Sequence, residues 1–432
     1  MRRSLLALLL LSAGASLLGA QERGVTLTDA IRLSAQVQPL VVEAETEVRT
    51  ANALRRSAWG AYLPTVTASS SASDFFSEGA SRIDPVTGRL TTGNSSNRSI
   101  STSLSASLDL FTGFRRGAEM GAARASQYAA DASLVDARFQ QALETTNQFF
   151  DALAAEQLVV VRQASVRRAE EQLKVSVAKL RAGSATRSDS LRSLVTLGDA
   201  RLELIGAETD LASAQAGLAR LVGEIGRVRA VDDSAYYQVV TAVDTLTLRA
   251  EAESRSPRIQ SASAGASAAR ASLRASRSAY WPSLTLSANT AWNGSGIDDY
   301  SLLNQRQVRL ALNWTLFNQF DRELAVVQRS ASLDVAEARA DDSRRAVAAE
   351  LTTRLAELDA ARARIDITLT SVAAASEDIR VQQERYRLGA STIVDVLTSQ
   401  EALNQAEVNV VVARFDYLRA KAQLETLIGR TL

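Results

Sequence analysis

The chain carries an internal duplication. Pro39 and Pro64 lie 25 residues apart, and so do Pro257 and Pro282. The residues around them match at an offset of 218: Ala61-Tyr62-Leu63-Pro64-Thr65-Val66-Thr67 against Ala279-Tyr280-Trp281-Pro282-Ser283-Leu284-Thr285. A second offset, 206, holds without a gap from Leu110 to Gly223. It aligns Leu110-Phe111 with Leu316-Phe317, Arg181-Ala182-Gly183 with Arg387-Leu388-Gly389, and Asp189 with Asp395. The change of offset falls in a loop that is longer in the first copy and holds Pro85. The chain therefore reads as two copies of one unit, residues 21–224 and 243–432, joined by a linker at 225–242 that fits neither copy.

Each copy predicts the same order of elements. From Ser99 to Leu110 apolar and polar residues alternate strictly, with Ile100, Leu104, Ala106, Leu108 and Leu110 on one side and mainly serine on the other. Alternation of this length predicts a strand. The first copy should hold strands at about 62–73 and 98–111, and the second at about 282–292 and 306–317. Each pair forms a hairpin with a polar loop, at 77–97 and about 293–305. Strands of this length suit a tilted bilayer crossing, with one face for lipid and one for water. A soluble sheet with one solvated face has the same pattern.

The remainder reads as helix. Residues 114–182 and 320–388 contain no proline and are rich in Ala, Leu, Glu, Gln and Arg, all strong helix formers. About 65 residues at 1.5 Å each would span roughly 100 Å, too long for a compact globule. A shorter helix follows each, at 187–223 and 392–429. Leu197, Leu204, Leu211 and Leu218 recur every seventh residue, as do Leu403, Val410, Tyr417 and Leu424. Such heptads keep one seam against a partner helix. Taken alone, they fit a soluble coiled coil equally well.

Composition narrows the function. The chain has no cysteine and no histidine. This removes disulfides, thiol catalysis, Ser-His triads and the usual zinc ligands. A formal net charge of +1 gives no basic field for nucleic acid. The carboxylates are spread along amphipathic helices and there is no glycine-rich phosphate loop, so no enzyme, cofactor or metal site is expected. Residues 1–20 read as a signal peptide: Arg2 and Arg3, an apolar Leu5–Leu11 run, then mostly small residues to Ala20. The rest has no apolar run long enough for a transmembrane helix, so a membrane crossing must use strands. Four strands cannot close a transmembrane barrel, which needs at least about 8. Protomers must then pool strands, two copies giving 8 and three giving 12.

Tyr386-Arg387-Leu388-Gly389-Ala390-Ser391-Thr392-Ile393-Val394-Asp395-Val396-Leu397 is similar to the Y-x-x-G-x-x-T-I-V-D-V-L turn of TolC-type outer-membrane efflux proteins, the outer membrane factor family. Ala413-Arg414-Phe415-Asp416-Tyr417-Leu418 resembles its A-R-x-x-Y-L segment. Tyr62-Leu63-Pro64 and Leu110-Phe111-Thr112-Gly113 are also similar, and the resemblance covers the duplication.

The resemblance implies a mainly α protein with a transmembrane β-barrel: a homotrimer with one 12-stranded barrel and a periplasmic helical tunnel closed at its tip. It implies an outer-membrane channel of a tripartite efflux or type I secretion system. The implied partners are outer-membrane lipid, a periplasmic adaptor and an inner-membrane RND or ABC transporter. The alternative is a non-conducting coiled-coil structural protein of the envelope.

The resemblance also places the two glycine turns at the periplasmic tip. Gly183, Ser184 and Ala185, with Gly389, Ala390, Ser391 and Thr392, would meet the adaptor. Asp395 matches an aspartate that lines the closed aperture, and three copies would make an acidic ring. A second family aspartate is replaced here by Thr398, and a tip arginine by Ser391. Arg187 and Asp189 would supply a substitute ion pair, with Asp395 or across protomers. For both aspartates the simpler role is helix N-terminal charge.

Overall fold

The computed structural model of the protein describes residues 23–79, 82–91, 95–237, 245–295 and 302–430. The expected signal peptide lies outside them, as do parts of both hairpin loops and of the linker. In chain order the elements are β1 (Arg23–Val25), α1 (Leu27–Val37), α2 (Pro39–Gly60), β2 (Thr65–Ser77), β3 (Arg82–Ile83), β4 (Leu90–Thr91), β5 (Ser95–Phe111), α3 (Arg115–Arg181) and α4 (Arg187–Val222). They continue with β6 (Val228–Ala230), α5 (Thr245–Arg255), α6 (Pro257–Ser276), β7 (Ser283–Ser295), β8 (Leu303–Asn313), α7 (Asp321–Arg387) and α8 (Ile393–Ile428).

The two copies match in length as well as in order. Helices α3 and α7 each have 67 residues, and α4 and α8 each have 36. Lys179 and Arg181 in the last turn of α3, and Arg385 and Arg387 in that of α7, complement the negative ends of the helix dipoles. No helix among the described residues is long and apolar enough to cross a membrane.

The chain divides into two compact units. One holds the described residues up to Thr46 with 132–261 and 342–430. Its core gathers Phe149, Phe150 and Leu153 of α3, Leu218 of α4, Leu248 of α5, Leu351 of α7 and Phe415, Leu424 and Ile428 of α8. The heptads face inward: Leu403, Val410, Tyr417 and Leu424 are all buried, and Leu197 and Leu218 are buried with Leu204 and Leu211 half-buried. Full burial of each such side chain contributes about 1.5–3 kcal/mol. Polar clamps tie the copies together within this unit. Arg168 of α3 donates to Glu407 at 2.6 Å and to Asn404 at 2.8 Å on α8. Arg419 of α8 donates to Asp151 of α3 at 2.6 Å. The linker that fits neither copy contributes β6, which pairs in parallel with β1 and buries Val228 against the core beside Val25. Three-residue strands leave no alternation to read, and their pairing is long-range.

The other unit, Glu47–Asp131 and Ala262–Asp341, holds the sheet. Its order is β2-β5-β7-β8, antiparallel throughout. Thr65 faces Ser107 in the first hairpin, and Ser283 faces Asn313 in the second. These two pairings are one repeat apart, so both hairpins share one register. β2 and β5 run further into the expected loop than the alternation indicated, and the two-residue strands β3 and β4 pair beyond them. Between β3 and β4, Asp84 Oδ1 accepts from the Val86 amide at 2.8 Å and Gly88 takes φ 65° around the Pro85 turn. At its other end β8 stops at Asn313 rather than near 317, because β7 begins at Ser283 and offers no partner beyond.

The sheet has two unlike faces, since paired residues share a side. One carries Val66, Ala68, Ile100, Leu104, Ala106, Leu108, Leu284, Leu286, Ala288, Val308, Leu310 and Leu312. The other is hydroxyl and amide: Thr67 meets Ser105 at 2.6 Å, Ser69 meets Ser103 at 2.8 Å, and Ser101 donates to Asn293 at 2.9 Å. Val308, Leu310 and Leu312 are 75%, 61% and 70% exposed, an apolar surface without cover in the protomer.

Candidate functional site: the paired helical tips

Both tips are built the same way. Helix α3 ends as Gly183 takes φ 73°, with the Ser184 amide donating to the Lys179 carbonyl at 2.9 Å. Helix α7 ends at Gly389, φ 80°, with the Ala390 amide donating to the Arg385 carbonyl at 2.8 Å. These are left-handed helix stops. A Cβ on either glycine would meet nothing within 4 Å, so backbone conformation, not space, requires glycine. Gly183, Ser184, Gly389, Ala390 and Thr392 are exposed, while Ala185 and Ser391 are half-buried.

The next helices open on matching capping boxes. Thr186 Oγ1 accepts from the Asp189 amide at 3.3 Å, and Asp189 Oδ2 accepts from the Thr186 amide at 2.9 Å. Thr392 and Asp395 repeat this at 3.3 and 2.9 Å. The Thr392 hydroxyl also donates to Asp395 Oδ2 at 2.8 Å. The Thr392 amide, then its hydroxyl, and the charge of Arg385 hold the Asp395 carboxyl below the usual carboxylate range. Both aspartates thus hold helix starts, and Asp395 remains exposed. Arg187 is exposed and makes no ion pair with either aspartate in the protomer.

Thr398 belongs to a different feature. It lines an 820 Å³ cleft between α4 and α8 with Leu191, Arg192, Val195, Val394, Leu397 and Glu401. Leu191 and Leu397 are one repeat apart, as are Arg192 and Thr398, and Val195 and Glu401. Asp189, Asp395 and Arg187 do not line it. The one mark of this cleft in the sequence is the leucine kept at equivalent positions of the two repeats, Leu191 and Leu397.

The tips of the two copies are also joined within the protomer. Lys179 lies over the Tyr386 ring and its Nζ donates to the Tyr386 carbonyl. Tyr386 packs with Ile379, Ile393, Val396 and Leu403. The first copy fastens its helix pair with smaller groups: Ala169, Leu197 and Ala200, and a buried Ser176–Ser193 hydroxyl pair at 2.8 Å. In the repeat alignment Tyr386 stands where the first copy has Leu180. Among the described residues no three His, Cys, Asp or Glu side chains gather to hold a metal.

The sequence profile of the outer membrane efflux proteins matches residues 30–224 and 248–430. The chain is 26% identical over 295 residues to the protein CyaE of Bordetella pertussis, covering 66% of this chain and 62% of CyaE. It thus spans less than two thirds of that relative. It is also 26% identical over 346 residues to the pyoverdine export outer membrane protein OpmQ of Pseudomonas aeruginosa, covering 78% of this chain and 72% of OpmQ. Its fold is similar to that of the outer membrane protein VceC of Vibrio cholerae, with a TM-score of 0.74 at 20% identity over 94% of this chain and 96% of VceC.

Proposed function

Because the chain belongs to the outer membrane efflux protein family, we propose that three copies form one passive conduit through the outer membrane. The observation that carries this reading is the four-stranded sheet. Its apolar face has no cover among the described residues, its opposite face is lined with hydroxyls and amides, and β2 and β8 each have only one neighbour among the described residues. An open edge in lipid leaves backbone groups unpaired, which costs several kcal/mol each. Three such sheets supply the twelve strands of a barrel with a wet interior.

The conduit serves efflux or type I secretion. A periplasmic adaptor meets the tips at Gly183, Ser184, Ala185, Gly389, Ala390, Ser391 and Thr392, and an inner-membrane RND or ABC transporter supplies the energy and selects the cargo. The relative named for pyoverdine export supports a role in carrying material outward. Asp395 contributes to an acidic aperture, and Arg187 pairs with Asp395 or Asp189 of the adjacent protomer, since it pairs with neither in its own. The protein's part is conduction, with no chemical step.

Planar-bilayer recording of the purified protein tests this reading. We expect discrete ion currents. A protein that inserts without conducting would support the envelope coiled-coil alternative.

A further inference from the structure

The two hairpins are repeats of each other, so the one seam the protomer contains between them is a template for the seams it lacks. β5 pairs with β7 in a register that sets Ser107 opposite Ser287, Ser103 opposite Ala291 and Ser99 opposite Ser295. β8 is the repeat of β5 at an offset of 206, and β2 is the repeat of β7 at an offset of 218. Carried across these offsets, Ser107 becomes Asn313 and Ser287 becomes Ser69.

We infer that β8 of one copy pairs with β2 of the next in this transferred register, with Asn313 opposite Ser69, Ala311 opposite Ser71 and Arg309 opposite Ser73 of the neighbouring copy. This rests on the trimer proposed above and specifies its wall. The register keeps faces matched: Leu312 and Leu310 meet Ser70 and Ala72 on the apolar side, and Asn313 and Arg309 meet serines on the polar side.

A second observation points to the same seam. β5 continues as strand through Leu108 and Asp109 to Phe111, and beyond Ser107 its only partner is β7. The repeat counterpart, Trp314 to Phe317, is not strand in the protomer. The two copies differ there in one respect that matters, namely that β8 has no strand on its far side among the described residues. In the transferred register Trp314 lies opposite Ala68, Thr315 opposite Thr67 and Phe317 opposite Val66 of the neighbouring copy. The segment then completes its strand on assembly, with the same irregularity that the template has between Asp109 and Phe111.

Charge offers a rival. A slip of two residues would keep the faces matched and put Arg306, which has no ion pair among the described residues, directly opposite Asp74 of the neighbour. Asn313 would then face Thr67.

The absence of native cysteine allows a clean test. A disulfide needs Cα atoms about 4.4–6.8 Å apart, and a slip of two adds about 6.6 Å along the strand. Full-length protein carrying Asn313→Cys and Ser69→Cys is oxidised in the outer membrane and run on a denaturing gel, beside Asn313→Cys with Thr67→Cys. Ser107→Cys with Ser287→Cys serves as the internal control for the template seam. Thr315→Cys with Thr67→Cys tests the extension of β8. We expect the first and last pairs to shift the band from monomer to covalent trimer, with the Asn313/Thr67 pair staying monomeric. Bridging by Asn313/Thr67 in place of Asn313/Ser69 overturns the register in favour of the rival. Native mass spectrometry of the same samples separates the levels. A trimer in which the control bridges and no seam pair does overturns the register alone, whereas a monomer overturns the trimer as well.

Discussion

Lys179 Nζ sits 4.2 Å from the centroid of the Tyr386 ring and donates to the carbonyl of the same residue, fastening the end of α3 to the end of α7. The phenol oxygen of Tyr386 is buried without a partner, so the ring is held by packing and by the lysine rather than by its hydroxyl. A cation over an aromatic face contributes about 0.5–1 kcal/mol at partly exposed sites. Lys179→Met keeps the stem and removes the charge. We expect roughly a fivefold rise in the open fraction of single-channel records, the equivalent of about 1 kcal/mol. Tyr386→Phe should leave the records unchanged, and an effect as large as that of Lys179→Met would assign the latch to the hydroxyl instead.

The strand-to-helix junctions give a second prediction. Gly113 and Phe114 take φ 63° and 66°, and their repeat partners Gln319 and Phe320 take 59° and 67°. A Cβ at Gly113 would lie 2.6 Å from Trp281 Cβ and 2.8 Å from the Ser278 carbonyl. Gly113→Ala should therefore destabilise by more than the about 1–2 kcal/mol that a left-handed alanine costs. Gln319→Gly should stabilise by up to about 1 kcal/mol, since it relieves the same backbone strain. Thermal melting of the detergent-extracted protein reads both. Equal losses for the two variants would contradict the assignment of strain.

Asp395 yields a prediction about pH. Within the protomer its carboxyl is held below the usual range, first by the Thr392 amide and then by the Thr392 hydroxyl, so its loss of charge is displaced to lower pH. Block of the channel by a divalent cation from the periplasmic side should persist at pH 5 and be weakened at least about tenfold by Asp395→Asn. Block that disappears between pH 7 and 5 would point to a different group.

Tyr237 makes an alkaline prediction. Burial and the adjacent Asp232 push its phenol up to about 12 from an ordinary value of 10.0. Its hydroxyl donates to Asp232 at 2.9 Å and accepts from Gln157 at 3.1 Å. A raised folded value means that its contribution to stability is intact below pH 10 and is lost as pH rises toward 12. Melting temperature should fall over that interval in the native protein, and Tyr237→Phe should remove that part of the fall. Phenolate absorbance checks the titration directly.

Most of the architecture is legible in the sequence because the duplication doubles every signal. The period-two alternation at 99–110, the proline-free helical runs and the two heptads each occur twice, and the Thr-x-x-Asp spacing after each glycine encodes both capping boxes. Three kinds of feature are not legible. The β1–β6 pair is too short to have a period and joins segments some 200 residues apart. The contact of Lys179 with Tyr386 depends on how two helix ends meet, which no local pattern encodes. The strand expected to 317 stops at Asn313 because β7 begins at Ser283 and offers the residues beyond no partner, which the alternation of β8 itself does not reveal. At the candidate site, Thr398 lines a cleft with Leu191 and Glu401, which the packing of α4 against α8 reveals, and Asp395 caps the start of α8.

Electron cryo-microscopy of the detergent-extracted protein, viewed down the pore axis, decides whether three copies share one wall. We expect threefold symmetry and one continuous ring to which every copy contributes β2, β5, β7 and β8. Isolated protomers, or a separate closed barrel in each copy, would contradict it.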